Sequence, residues 1–152
     1  MNLKLPDIID VKFGRKLVKH LGGDPAPIKD DWCWSEFADQ YPHLLSGAEE
    51  FISAATTGDP GWAAYYMAQY CGSDQAWAEG VIERATTGDP GYAAYWMIAD
   101  CGSDRVWAEG VIERATTCDP GWAVRCMVDY CGSSRAWAER VKANFCERAK
   151  LR

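Results

Sequence analysis

The sequence predicts an all-α protein: four antiparallel helix pairs of about 30 residues each, stacked in a row behind an N-terminal helix. Three observations predict it. First, "WAEGVIERATTGDPGYAA", Trp77 to Ala94, returns as "WAEGVIERATTCDPGWAV", Trp107 to Val124. A unit written out repeatedly at such a period is the mark of a stacked array. Second, two marks recur at that spacing: Gly58-Asp59-Pro60, Gly88-Asp89-Pro90 and Cys118-Asp119-Pro120, then Cys71-Gly72-Ser73, Cys101-Gly102-Ser103 and Cys131-Gly132-Ser133. Both read as helix punctuation, with Gly ending one helix, Asp or Ser capping the next, and Pro in its first turn. Third, the apolar residues between the marks follow helical spacing.

The elements follow in order. Residues 1–29 form a capping region, in which "PDIIDVKFGRKLVKHLGG" reads as one amphipathic helix ended by Gly22-Gly23, followed by the linker "DPAPIKD". The repeats then span 30–59, 60–89, 90–119 and 120–152. The first is degenerate: it places Trp32 on Trp62, Glu49 on Glu79 and Phe51-Ile52 on Val81-Ile82, with Pro42 at the turn glycine. In the second, helix A is expected over 60–70 and helix B over about 74–86. On helix A, Ala63, Met67 and Cys71 recur unchanged at 93, 97 and 101 and at 123, 127 and 131, one stripe at i, i+4, i+8. Ala78, Val81, Ile82 and Ala85 make the facing stripe of helix B. In the last copy Arg140 replaces Gly80 and Gly110, and Lys142 replaces Ile82 and Ile112, as the uncovered outer face of a terminal unit requires.

Composition narrows the function. A chain of 152 residues suits one domain, and eight Trp and seven Tyr make it rich in aromatics. No apolar run is long enough for a membrane span, and the N-terminus lacks the features of a secretory signal, so a cytoplasmic location is expected. The seven cysteines are odd in number and form no Cys-x-x-Cys pair. Three of them recur at the repeat period, which reads as a small buried hydrophobe in a reducing compartment. His20 and His43 are the only histidines, and neither sits near a second ligand candidate, so no metal or other cofactor is expected. Charge is uneven: residues 1–29 carry +3, residues 30–139 carry −13 and residues 140–152 carry +4. The acidic middle argues against direct nucleic-acid binding along the repeats.

The paired helices resemble the α-solenoids of the HEAT and tetratricopeptide classes over roughly residues 30–149, although the tetratricopeptide unit is longer and its Trp-Leu-Gly-Tyr pattern is absent here. "DPGWAAYYMA" is also loosely similar to Asp-Pro-x-Trp-Ala-Tyr arrays of bacterial and phage proteins. The resemblance implies a right-handed solenoid that binds through an extended surface, as a rule without catalysis.

Two surfaces are candidates. Opposite the Ala-Met-Cys stripe, helix A presents Trp62, Tyr65, Tyr66 and Gln69, then Tyr92, Tyr95, Trp96 and Ala99, then Trp122, Arg125, Cys126 and Asp129. Position 62 stays aromatic, which suits a wedge between units. Positions 65, 66 and 69 drift, as packing-free or partner-fitted positions do, and their aromatics form either an inter-repeat core or a binding patch. Helix B carries Glu79, Glu83, Glu109, Glu113 and Glu139, with Glu49 from the first copy. These read as a solvated face, on which Arg105 and Arg135 can pair with Glu109 and Glu139, or as a ladder for a basic partner.

Catalysis finds no support. Repeated carboxylates share one environment, whereas acid/base pairs need divergent ones. No nucleophile or metal motif is present, and Cys33 has only His43 as a distant base candidate. The expectation is therefore a non-catalytic module that binds a protein, expected to be basic, through its aromatic and acidic repeat surface. The alternative is an acidic mimic of nucleic acid that blocks a nucleic-acid-binding protein.

Overall fold

The computed structural model describes residues 2–151; the outermost residues of the first and last regions lie outside them. The described residues form nine α-helices and no strand. They are α1 (Val11–His20), α2 (Trp34–Gln40), α3 (Leu45–Ser53), α4 (Pro60–Tyr70), α5 (Gln75–Arg84), α6 (Pro90–Cys101), α7 (Arg105–Arg114), α8 (Gly121–Cys131) and α9 (Arg135–Lys150). A 3-10 turn, Pro42–Leu44, joins α2 to α3. Helix A of successive copies is thus α2, α4, α6 and α8, and helix B is α3, α5, α7 and α9. α4, α6 and α8 each pack on their own helix B, each helix A packs on the helix A of the next copy, and in the first copy α2 and α3 both pack on the 3-10 turn and on α4; the B helices meet chiefly through long side chains.

The Cys-Gly-Ser mark ends helix A by satisfying its last carbonyls. Gly72, Gly102 and Gly132 take φ of 73°, 77° and 77°. The amides of Ser73, Ser103 and Ser133 then return to the carbonyls of Met67, Met97 and Met127 at 3.1–3.2 Å. This corrects the expectation that Ser73 caps helix B. Its amide belongs to helix A, and Asp74 caps α5 by accepting from the Ala76 amide.

The Gly-Asp-Pro mark does something other than end a helix. α5 stops at Arg84, and Gly88 lies in the loop beyond. Gly88 has φ of 78°, and a Cβ there would stand 2.3 Å from Asp59 Cγ. Gly88 is where one loop rests on the loop before it. Asp59 accepts from Trp62 N with Oδ1, capping α4, and from Asp89 N with Oδ2, joining the two loops, both at 3.0 Å. The Asp59 carboxyl pKa is raised: burial is the largest cause, these two bonds lower it, and the charge of Asp89 raises it further. Where Cys118 replaces the glycine, a left-handed backbone is disfavoured, and no non-glycine residue of the described chain adopts one. The start of α8 moves by one residue: Pro120 becomes its cap position and Asp119 accepts from the Gly121 amide instead.

The predicted stripes are the core. Ala63, Met67, Ala78, Val81 and Ile82, with their counterparts at 93, 97, 108, 111 and 112, are buried; Cys71 and Ala85 are half-buried. Gly61 lets its own helix B and the next helix A converge, since a Cβ there would lie 3.4 Å from Ile82 Cγ1 and 3.6 Å from Ala93 Cβ. Gly91 does the same between Ile112 and Ala123. At the far end Arg140 and Lys142 are exposed.

The N-terminal region departs from its reading. Only Val11–His20 is helical, capped by Asp10 on the Phe13 amide. Phe13 meets Phe51 with ring centroids 6.1 Å apart, and Leu17 and Val18 are fully buried. Residues 2–9 run as non-helical chain instead. Leu5 is buried, and its carbonyl accepts from Thr57 Oγ1 at 2.7 Å, the part Gly88 O plays for Thr117 Oγ1 at 2.6 Å. The segment therefore stands in for the loop of a preceding copy. The Thr87 hydroxyl, at the same place in the middle copy, is buried and has no hydrogen-bond partner among the described residues. Helix α2 also starts late, at Trp34, because no Asp-Pro precedes it and Cys33 offers no side-chain cap.

Candidate interaction surface

Helix B settles first, because its glutamates bond across repeats. Trp107 Nε1 donates to Glu83 Oε1 at 2.5 Å and Trp137 Nε1 to Glu113 Oε1 at 2.7 Å. Trp77 Nε1 makes the same reach to Ser53 Oγ at 2.9 Å. One turn earlier, Ser73 donates to Glu49 and Ser133 to Glu109 at 3.0 and 3.1 Å. Every one of these pairs is separated by 24 residues. Glu49, Glu83, Glu109 and Glu113 recur as acceptors for the next unit. Glu79 is half-buried, and Ser103, its would-be partner, accepts from Gln75 instead. Glu113 also receives Arg140 Nη2 at 3.2 Å. Arg105 reaches Glu109 only at 3.9 Å while bonding the Gly132 carbonyl at 3.0 Å. Arg135–Glu139 is not among the ion pairs of the described residues.

On helix A the face divides by position. Tyr65 and Tyr95 are buried, at 4% and 8% exposure. The Tyr65 hydroxyl donates to Asp100, and burial, then that carboxylate, hold it well above its ordinary pKa. Tyr95 packs against Tyr130 with centroids 6.5 Å apart. These two tyrosines belong to the joint between copies. Tyr66 and Trp96 are half-buried; Gln69 and Arg125 are exposed.

The more open part of the face is the stripe 62, 66, 70 and its counterparts, apart from Cys126, which is buried. Trp62 stacks on Tyr92 at 5.6 Å and 3°, stands at 90° to Tyr66, and Tyr66 stacks on Tyr70 at 5.7 Å. Tyr70, Trp122 and Tyr130 are 49%, 57% and 76% exposed. Reading the sequence to position 69 missed Tyr70 and Tyr130, although they lie one turn beyond Tyr66 and Cys126 on the same stripe. Arg125 lays its guanidinium over the Trp122 ring, 5.9 Å from the centroid.

This stripe opens onto a cavity of about 500 Å³ lined by Trp32, Trp34, Trp62, Tyr66 and Tyr70, by Cys33 and Ser35, and by Asp59 and the segment Pro6–Ile9. The volume is in the range of small-ligand sites. No sequence signal pointed to it, because residues 6–9 reach α4 only by leaving the helix expected of them.

Burial raises the thiol pKa of Cys71, Cys101, Cys118, Cys126 and Cys131. Cys71 gives its thiol to the Trp34 carbonyl at 3.1 Å, and burial pushes it up to about 11; Cys118 is pushed to about 11 in the same way. Cys33 meets Ser35 Oγ at 3.3 Å, while His43 lies against Tyr41. Among the described residues no helix is long and apolar enough to cross a membrane. Compared with known proteins, the chain matches no family model, no curated protein and no solved structure.

Proposed function

We propose that the chain is a non-catalytic protein-interaction module, a right-handed α-solenoid that receives a basic segment of a partner protein on its helix-A face. The carrying observation is the division of labour between the two sides. The helix-B carboxylates Glu83, Glu109 and Glu113 are occupied as acceptors within the stack, whereas Tyr66, Tyr70, Trp122 and Tyr130 present aromatic surface on helix A. Aromatic side chains concentrate binding energy in such surfaces. Gln69, Asp100 and Asp129 stand exposed along the same helices, a polar and acidic rim suited to a basic segment. A solenoid fits the contacts, because neighbouring A helices lie against one another along the row and so form its inner side. The same occupied carboxylates count against a nucleic-acid mimic built on helix B.

The test is capture of partners from the source cell with the wild type, a Tyr70→Ser/Trp122→Ser/Tyr130→Ser variant and a Glu79→Gln variant, washed at low and high salt. The helix-A variant loses the partner and the Glu79 variant keeps it. A partner that is stripped by salt, binds nucleic acid and ignores the helix-A changes would establish the mimic instead.

A further inference from the structure

The cavity between α2, α4 and the N-terminal segment differs from the rest of the helix-A face in being concave, and its lining has a definite chemistry. Five aromatic residues line it, with Trp62 and Tyr66 perpendicular, edge to face, at 5.1 Å, so that the two rings form a corner. Its ionisable residues besides Cys33 and the tyrosines are Asp7 and Asp59, and no Lys, Arg or His is among the lining residues. Aromatic faces and carboxylates together favour a cation, whose charge is attracted to both. A planar cation gains more, because it stacks on an indole while its edge donates hydrogen bonds.

The molecule already makes this arrangement once. In the last copy Arg125 holds its guanidinium over Trp122, the counterpart of Trp62, and pairs with Asp129 at 3.6 Å. In the second copy the residue at the place of Arg125 is Tyr65, turned into the joint with Asp100. Trp62, which stacks on Tyr92, therefore has no arginine of its own, and the carboxylates that line the cavity with it are Asp7 and Asp59, Gln69 standing at the place of Asp129.

We propose that this cavity is an arginine site, which seats a guanidinium from the partner protein in the Trp62–Tyr66 corner between the carboxylates of Asp7 and Asp59. The proposal rests on the reading of the helix-A face as an interaction surface, and it names the side chain that the surface selects. Asp59 spends both oxygens on backbone amides, each of which leaves room for a further donor on the carboxylate. Asp7 is exposed and takes no part in a hydrogen bond among the described residues, so it can be changed without disturbing the stack.

The experiment uses the whole chain and three blocked tripeptides, Gly-Arg-Gly, Gly-citrulline-Gly and Gly-Lys-Gly, followed by two-dimensional NMR of backbone amides and indole N–H groups. Citrulline has the shape of arginine without its charge. The expected result is saturable shifts at Trp34, Trp62 and Tyr66 with the arginine peptide, and binding at least about tenfold weaker for citrulline. Asp7→Asn and Tyr66→Leu, each checked for unchanged helical circular dichroism, weaken the arginine peptide severalfold. Equal binding of arginine and citrulline, equal binding of arginine and lysine, or no saturable shift at these residues would each overturn the arginine site. A natural partner that is lost with the Tyr70/Trp122/Tyr130 variant but indifferent to Asp7→Asn and Tyr66→Leu would overturn the cavity and leave the interaction module standing.

Discussion

On helix B, Glu83 and Glu113 each hold the indole of the following copy, and Glu49 and Glu109 each hold its serine. On helix A, one turn of Tyr, Trp or Cys at positions 66, 96 and 126 is followed by Tyr70, Asp100 and Tyr130, all exposed. The two surfaces belong to the same hairpins, yet one hardly varies between copies and the other does. The difference follows from what each residue touches. A glutamate that must meet the next unit's tryptophan at a fixed reach is tied to the repeat period. The exposed residues on helix A are tied less closely, Tyr70 and Tyr130 by ring contacts and Asp100 by one hydroxyl, and each copy is free to differ.

The largest expected effect comes from breaking the stack at its closest approach. Gly88→Ala forces a left-handed residue and drives a methyl group to 2.3 Å from Asp59 Cγ. The cost is about 3 kcal/mol, combining backbone strain with overpacking. Gly72→Ala has a similar φ, 73°, but meets nothing within 4 Å, so it costs about 1 kcal/mol. Urea unfolding of the two variants measures the gap, and equal losses would show that loop-to-loop contact adds nothing to the strain.

Next comes the helix-B ladder. Glu113→Ala leaves Trp137 Nε1, on a buried side chain, without its acceptor and frees Arg140. The expected loss is about 1–2 kcal/mol. Glu113→Gln keeps a carbonyl acceptor for the indole and loses less than half of that. If both substitutions were neutral, the glutamates would be a solvated face after all.

These pairs also show what could be read from sequence. The helix-A bounds 60–70 and the core stripes were legible because apolar period and caps are local properties. The 24-residue bonds were present in the letters too, as a Trp or Ser always following a Glu or Ser at that distance, but which side chains turn toward the next copy depends on how the hairpins lie together. The N-terminal segment was illegible for a different reason. Its helical pattern over 6–23 is real, but Leu5 gains more by giving its carbonyl to Thr57 and its side chain to the core than by extending a helix into solvent. Burial in tertiary structure overrides a local pattern. Trp32 and Trp34 could not be assigned to a cavity until that segment had a place.

The exposed stripe should barely affect stability. Tyr70→Ser and Tyr130→Ser fall within about 0.5 kcal/mol of the wild type by urea unfolding, the usual range for surface positions. A larger loss from either would mean that the stripe serves packing, and would remove it from the interaction surface.

The smallest effect is a change of slope with pH, and it tests the loop joint from the charge side. Asp59 has its carboxyl pKa raised from 3.8, with burial the leading cause. The folded state then holds the proton more tightly than the unfolded chain does, so ionisation of Asp59 weakens the fold. The stabilising contribution of the protonated form is complete below the ordinary value near 3.8 and is lost as pH rises through the folded value. Asp59→Asn does not titrate. The stability of the wild type relative to this variant should therefore fall as pH is raised from about 3 to about 7, whatever the variant's own loss from the missing acceptor for Asp89. Urea unfolding of both proteins across that range measures the slope. A difference that rises with pH would mean that the two amide bonds outweigh burial at Asp59, and that the ionised form holds the loops together. That outcome would make the joint between copies electrostatic on helix A as well as on helix B, and would erase the contrast between the two sides at this residue.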